Sequence, residues 1–319
     1  MNLDSKIYVA GHRGLVGSAL IRQLKLGGYS NLITRTHAEL DLTNQLAVEK
    51  FFSQEKPEYV YLAAARVGGV VANNTYPAEF IYSNLAIQTN VIHESWKAGV
   101  KRMLFLGSSC IYPRECPQPI KEEYLLTGPL ETTNRPYAIA KIAGVEMCNA
   151  YNRQYGTNFL AAMPTNLYGQ NDSYDLQNSH VLPALIRKMH EAKICGDNSV
   201  VVWGTGTPRR EFLYSEDMAE ACIYLLNLSN EKYSSLLHEH SFPLINVGCG
   251  EDVSINELAN MVKDIVGFTG SLAFDTSKPD GTMRKLMDVG KLKQIGWQAK
   301  MQLRDGIAIV YKYYLEERG

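Results

Sequence analysis

The run Lys6-Ile-Tyr-Val-Ala-Gly11-His-Arg-Gly14-Leu-Val-Gly17 constrains the fold more than any other stretch. Lys6–Ala10 reads as a buried strand, and Leu15, Val16, Ala19, Leu20 and Leu24 then recur at helical spacing. Gly11 permits a tight turn, Gly14 lets the backbone approach a pyrophosphate, and Gly17 lets helix and strand pack closely. The helix start offers unpaired N–H groups to phosphates. The spacing G-x-x-G-x-x-G departs slightly from the G-x-G-x-x-G fingerprint. Its position, opening the first βα unit, favours a dinucleotide site over a mere turn.

The same alternation continues downstream. Strands are expected at Asn31–Thr34, Tyr59–Ala64, Arg102–Gly107 and Phe159–Met163, the last closed by Pro164. Between them, helices are expected at Ala47–Phe52, at Asn84–Gly99 with Ala86, Val91, Ile92 and Trp96 as its inner face, and from Pro136 to about Tyr151. This βαβα succession predicts an α/β fold with a Rossmann-like, doubly wound parallel sheet. The second half is less regular. Helices are expected at Val181–Glu191, Ser215–Leu228 and Ser254–Val266, strands at Val200–Trp203 and Ile245–Val247, and a polar loop at Ser229–Ser241. The expected division is a cofactor domain of residues 1–164 plus about 211–243, and a smaller C-terminal substrate lobe of about 165–210 plus 244–319.

Composition narrows the class. The 32 Lys and Arg against 33 Asp and Glu leave a net charge of -1, with no basic excess for nucleic acid or an anionic membrane. No apolar run reaches spanning length, because Val60–Ala72 is broken by Arg66 and two glycines. The six cysteines form no C-x-x-C pair, so reduced thiols in the cytoplasm are expected and no metal site.

The second strand ends in Arg35, where an NAD-selective enzyme places an acidic residue for the ribose 2′-hydroxyl. Arg35 with Arg13 suits a 2′-phosphate and hence NADP(H). Glu39 and Asp41 lie close enough to leave NAD as the alternative. Tyr137-Ala-Ile-Ala-Lys141 puts a phenol and an ammonium one helical turn apart. A free phenol, with a pKa near about 10, is a poor acid at neutral pH, and a nearby cation favours its ionised form. The preceding strand ends Leu106-Gly107-Ser108-Ser109, so Ser108 can hydrogen-bond a carbonyl that Tyr137 protonates while hydride arrives. Cys110, read alone, is a packing thiol, although alternation along an extended segment points it the same way as Ser108. His180, read alone, is structural.

Together these motifs resemble the extended short-chain dehydrogenase/reductase superfamily. Several stretches are similar more specifically to the GDP-L-fucose synthase family, whose members epimerise C3 and C5 and reduce C4 of GDP-4-keto-6-deoxy-mannose. They are Gly11-His-Arg-Gly-Leu-Val-Gly-Ser-Ala, Ala72-Asn-Asn-Thr-Tyr-Pro-Ala, Leu106-Gly-Ser-Ser-Cys-Ile-Tyr-Pro and Pro136-Tyr-Ala-Ile-Ala-Lys-Ile-Ala-Gly. Met163-Pro-Thr-Asn-Leu-Tyr-Gly, Asn178-Ser-His-Val-Leu-Pro-Ala-Leu, Val202-Trp-Gly-Thr-Gly-Thr-Pro-Arg-Arg-Glu-Phe-Leu and Ser277-Lys-Pro-Asp-Gly-Thr continue the likeness. Only the Ser229–Ser241 stretch looks unmatched.

The resemblance implies Ser108, Tyr137 and Lys141 for reduction, with Cys110 and His180 as the proton-transfer pair of the epimerase. It implies NADP(H) contacts from the glycine loop (Gly11, His12, Arg13, Gly14, Leu15, Val16, Gly17) and from Arg35, Leu106, Gly107, Ser109 and Lys141. Pro164, Thr165, Asn166, Leu167 and His180 complete that set. Lys188, Trp203, Arg210 and Asp280 are implied for the GDP-sugar, with Arg187 a neighbour able to exchange roles with Lys188. A homodimer through a four-helix bundle of Asn84–Gly99 and Tyr137–Tyr151 is implied as well. The rival expectations are a plain reductase, an enzyme for a related GDP-4-keto sugar such as a heptose or dideoxy sugar, and a non-catalytic cofactor-binding regulator.

Overall fold

The computed structural model describes residues 1–176, 179–238, 242–278 and 280–318, except for the side chains of residues 70, 71, 317 and 318. Asn178 and Pro279, within two of the motifs above, lie outside the described residues, as does the end of the Ser229–Ser241 stretch, 239–241.

The first half runs β1 (Ile7–Ala10), α1 (Leu15–Leu26), β2 (Leu32–Ile33), α2 (Gln45–Glu55), β3 (Tyr59–Leu62), α3 (Val70–Thr75), α4 (Pro77–Lys97), β4 (Arg102–Leu106), α5 (Arg135–Tyr155) and β5 (Phe159–Pro164). The second half runs β6 (Asn166–Tyr168), α6 (Val181–Cys195), β7 (Ser199–Trp203), β8 (Arg209–Tyr214), α7 (Ser215–Asn227), α8 (Asn230–His238), β9 (Leu244–Val247), β10 (Asp252–Ser254) and α9 (Ile255–Val266). It closes with β11 (Ser271–Asp275), β12 (Arg284–Lys285), α10 (Gly290–Gln294) and α11 (Leu303–Arg318).

Six strands form one parallel sheet in the order β2-β1-β3-β4-β5-β9. All four residues of β1 are buried, as a strand covered on both faces requires. Alternation sends Tyr8 and Ala10 into a core shared with α2, α4 and α5, and Ile7 and Val9 into a core shared with α1, α7 and α8. The sheet is therefore doubly wound, as expected. Strand order reverses between β1 and β3, which opens the ligand crevice at the carboxyl ends of the strands.

Two expectations need correction. Ser229–Ser241 is not simply a loop, for Asn230–His238 forms α8, whose Tyr233, Leu236 and Leu237 are buried at helical spacing. The Tyr233 ring lies under the Arg102 guanidinium, which is 4.2 Å from its centroid. α4 starts at Pro77, earlier than expected, and its buried face includes Phe80, Asn84, Gln88, Val91, Ile92, Glu94 and Ser95, while Ala86 and Trp96 are only half-buried. The buried amides tie elements together. Asn84 Nδ2 donates to the carbonyls of Arg66 (2.9 Å) and Phe80 (2.8 Å), and Gln88 Nε2 donates to Ala140 O of α5 (2.5 Å).

The remaining strands build a smaller unit. β8 lies between β10 and β12 and also pairs with β6, while β7 pairs with β11. α6, α9 and α11 pack on these strands around Leu185, Ile186, Phe212, Leu258 and Val262. β9, expected in this lobe, is instead the outer strand of the large sheet, and its residues are buried. Among the described residues no helix is long and apolar enough to cross a membrane.

Candidate active site

The glycine loop closes as its residue types demand. Gly11 has φ of +84°, and a Cβ there would meet Ala64 N at 2.7 Å. A Cβ on Gly17 would run into the Gly11 carbonyl, whereas one on Gly14 would meet only Gly11 O at 3.5 Å, leaving room for a ligand at the start of α1. No side chain caps α1, so the N–H groups of its first turn face that room. His12 Nδ1 is buried there without a partner, and burial, reinforced by Arg13, lowers the pKa of the ring. Arg13 is exposed beside the loop. The Arg35 guanidinium donates to Thr34 O (2.8 Å) and to Glu55 (2.6 Å) and sits 5.5 Å from the Phe51 ring centre. Glu39, acidified mainly by hydrogen bonds from Thr36, feels both arginines. An open glycine cradle, an orphaned imidazole nitrogen and two arginines fit a dinucleotide with a 2′-phosphate.

Three further segments end on the same crevice. β4 delivers Leu106, Gly107 and Ser108, and a Cβ on Gly107 would collide with Met163 of β5. β5 delivers Pro164 and Thr165, whose N–H donates to Val247 O at 3.1 Å. The Asn166 side chain is committed to Glu211 O (2.8 Å), and Leu167 packs into the core beside α1 and α7, so this segment offers backbone rather than side chains to a cofactor.

Ser108 is extended and caps the short 3₁₀ turn Ser109–Ile111. This corrects the extended alternation expected through Cys110. The turn nonetheless keeps the two side chains together, since Cys110 N donates to Ser108 Oγ (3.4 Å) and the Ser108 hydroxyl acts on both the thiol and the Tyr137 phenol. α5 comes close to β4 because residue 144 is glycine, where a Cβ would enter the Phe105 ring. Lys141 is buried, its Nζ 2.8 Å from Leu106 O, 4.7 Å from the Phe105 ring centre and 5.8 Å from that of Tyr137. Burial pushes the lysine down to about 8, with the Cys110 sulfur opposing. Burial also pushes the phenol well above its ordinary value, Cys110 adding to this and the Ser108 hydrogen bond opposing it. Lys141, held by a backbone carbonyl, is not among the groups that shift the phenol here. The phenol is protonated, which is the form a proton donor needs.

Cys110 is buried, and burial raises its pKa against the pull of Lys285, Ser108 and Lys141. His180 is the exposed residue that opens α6, and the protein packed around its ring lowers its pKa by desolvation. The charges acting most strongly on Cys110 are lysines, not His180.

The four residues implied for the substrate fall into two pairs, Lys188 with Trp203 and Arg210 with Asp280. Lys188 Nζ lies 5.3 Å from the Trp203 ring centre and donates to Val201 O (3.2 Å). Arg187 is taken up by Glu191 (2.7 Å) and Tyr174 O (3.0 Å), so of the two neighbours it is Lys188 that faces Trp203. Trp203 is 52% exposed, and Lys278 Nζ also lies 5.5 Å from its ring centre. Asp280 accepts from Thr205 N (2.7 Å) and Thr205 Oγ1 (2.8 Å), and Arg210 Nη2 approaches Asp280 O at 3.5 Å. Lys278 and Lys285 escaped the sequence reading. The signal for Lys278 was its place inside the Ser277-Lys-Pro-Asp-Gly-Thr motif, whereas Lys285 lies beyond that motif and carried none.

A dinucleotide cradle, a serine–tyrosine–lysine group and a cationic aromatic site together are the parts of a nucleotide-sugar oxidoreductase of the short-chain dehydrogenase/reductase type. The chain belongs to the NAD dependent epimerase/dehydratase family, whose sequence signature matches residues 7–236. Within it, the chain is 59% identical to GDP-L-fucose synthase 1 of Arabidopsis thaliana, the match covering 98% of this chain and 94% of that one. It is 51% identical to GDP-L-fucose synthase of Escherichia coli (strain K12), over 98% and 97%. Among solved structures, GDP-mannoheptose C4 reductase from Campylobacter jejuni with NADP bound is 46% identical, with a TM-score of 0.90 and 99% of each chain covered.

Proposed function

We propose that this protein converts GDP-4-keto-6-deoxy-D-mannose to GDP-L-fucose with NADPH, epimerising C3 and C5 and reducing the C4 ketone. The observation that carries the reading is the meeting of Ser108, Tyr137 and Cys110 at the end of β4, in a chain so similar to two GDP-L-fucose synthases. NADPH, when bound, supplies hydride to C4. The residues of the glycine loop hold its diphosphate, and Arg13 and Arg35 hold its 2′-phosphate. Ser108 donates a hydrogen bond to the C4 oxygen, and Tyr137 gives that oxygen its proton as the alkoxide forms. Lys141, released from Leu106 O, restores charge balance around the phenolate.

For epimerisation, Cys110 takes the proton from carbon and His180 returns one on the opposite face. Lys188 and Arg210 neutralise the substrate diphosphate, Trp203 offers a ring face, and Asp280 keeps Gly204 and Thr205 in place beside it. Two copies join through α4 and α5, whose outer faces expose Tyr82 (69%), Ile139 (42%) and Tyr155 (44%), into a four-helix bundle. Tyr82→Arg is expected to release monomers in sedimentation equilibrium, and a parent that is already monomeric contradicts the dimer. The six free thiols support a reducing, cytoplasmic setting.

The C. jejuni relative favours a second reading, in which the chain reduces a GDP-4-keto-heptose. Incubation with NADPH and a panel of GDP-4-keto sugars, with product stereochemistry read by NMR, separates the two. GDP-L-fucose is the expected product. Turnover of a heptose alone contradicts the proposal.

A further inference from the structure

Lys285 lies on β12, in register with Arg210 of β8, and belongs to no motif used above. The backbone of its segment is fixed from both sides. Glu211 is fully buried and its carboxylate accepts Met287 N at 2.9 Å, while Leu286 N donates to Gln118 Oε1 (2.9 Å) and Leu286 O accepts from Ile120 N (2.7 Å). From there the Lys285 side chain lines one small cleft with Cys110, Asn134 and Thr282. Asn134 Oδ1 is buried without a partner on that cleft. Glu131, the carboxylate on the cleft, is taken up by Arg114 (3.2 Å). Among the described residues the Lys285 ammonium has no hydrogen bond or ion pair, so it is uncommitted on the cleft it shares with the thiol. Fixing a bulky cation next to a buried sulfur, with the Glu131 carboxylate already paired to Arg114, is costly unless a further negative charge develops there.

We propose that Lys285 is a positioning residue for Cys110, its ammonium holding the sulfur as thiolate while a carbon acid is presented to it. This rests on the reading of Cys110 as the base. In the step, the thiolate forms an S–H bond with the proton of the C–H next to the ketone. The C–H electron pair becomes the C=C bond, and the ketone oxygen takes the negative charge as enolate. One negative charge therefore stays in the cleft throughout, first on sulfur and then on oxygen, and Lys285 offsets it in both places. The other groups acting on the thiol are Lys141 from α5 and the Ser108 hydroxyl. Those acting on Lys285 are Cys110, Cys116 and Glu131, which favour its cation, and Arg210, which opposes it along with burial.

The test reads the thiol directly, without substrate. The rate of Cys110 alkylation by iodoacetamide is followed against pH by mass spectrometry of the Cys110 peptide, in the full-length parent, Lys285→Gln and Lys285→Arg. The glutamine variant is expected to shift the profile upward by about one pH unit, an alkylation rate about tenfold lower at pH 7. The arginine variant, which keeps the cation, is expected to stay near the parent. Lys285→Met serves if the glutamine variant does not fold, with NADPH binding as the check on folding. A profile unmoved in the neutral variant, or moved equally in the arginine variant, overturns the proposal. If the profile moves as expected while the parent exchanges no carbon-bound hydrogen of its substrate, the electrostatic pairing stands and the epimerase reading is what fails.

Discussion

The proposed reductive group and the proposed epimerase pair are built on different principles. Ser108, Tyr137 and Lys141 come from the end of β4 and from α5, which sits close against β4 at Gly144 and Phe105 and is tied to α4 by the Gln88 amide on Ala140 O. Ser108 already acts on the Tyr137 phenol, whereas the Lys141 ammonium is held on Leu106 O. Cys110 and His180 come from a 3₁₀ turn and the start of α6; the first is buried and the second exposed. Hydride chemistry at one carbonyl needs a rigid donor, whereas two carbon acids on opposite faces of a ring need acid and base far enough apart for the ring to lie between them. On the proposed roles, the hydroxyl and the phenol stand together for the step common to nucleotide-sugar reduction, and the acid and base stand apart where stereochemistry has to be chosen.

If the two groups are independent, removing one must spare the other. Tyr137→Phe is expected to lower NADPH oxidation by about 10²–10⁴-fold, the range for losing a general acid, while NADPH binding and deuterium uptake at C3 and C5 persist. Loss of both activities together would mean that one constellation serves both steps.

A smaller effect is expected from pH. With the Lys141 ammonium pushed down to about 8, reductive turnover falls as pH rises through that value, and Lys141→Arg moves the falling limb to higher pH. The lysine also carries a stability signature of defined sign. Its folded pKa lies below the ordinary 10.5, so between about 8 and 10.5 the unfolded chain binds more protons. Its contribution to stability therefore rises with pH across that window as the cost of the buried cation disappears. Lys141→Met is expected to remove this rise, measured as the difference in Tm between the two proteins. A turnover profile that is flat to pH 10 contradicts the assignment.

The sheet and the reductive group were legible because their signals are local. A strand buried on both faces, a glycine turn and a Tyr-x-x-x-Lys helix each declare themselves within a dozen residues. The substrate unit was not legible in the same way. β6, β10 and β12 have three, three and two residues, too few for periodicity, and they meet on β8 from distant parts of the chain. α8 was hidden because only Tyr233, Leu236 and Leu237 mark its buried side among polar neighbours. Lys188, Trp203, Arg210 and Asp280 were reached through resemblance, and their pairing appears only when β7, β8 and the loop before β12 are assembled. Lys285 shows the limit most clearly, since a lysine on a two-residue strand carries no signal until its cleft is seen.

The most direct test of two separable groups is deuterium incorporation at C3 and C5 of the GDP-4-keto sugar in heavy water, read beside NADPH consumption in the parent and Cys110→Ser. A serine hydroxyl is a far weaker base than a thiolate. The parent is expected to exchange both positions and to make GDP-L-fucose. Cys110→Ser is expected to lose the exchange and still reduce the unepimerised ketone, giving a product of different stereochemistry. Exchange in Cys110→Ser at the parent's rate, or none in the parent itself, would contradict the account.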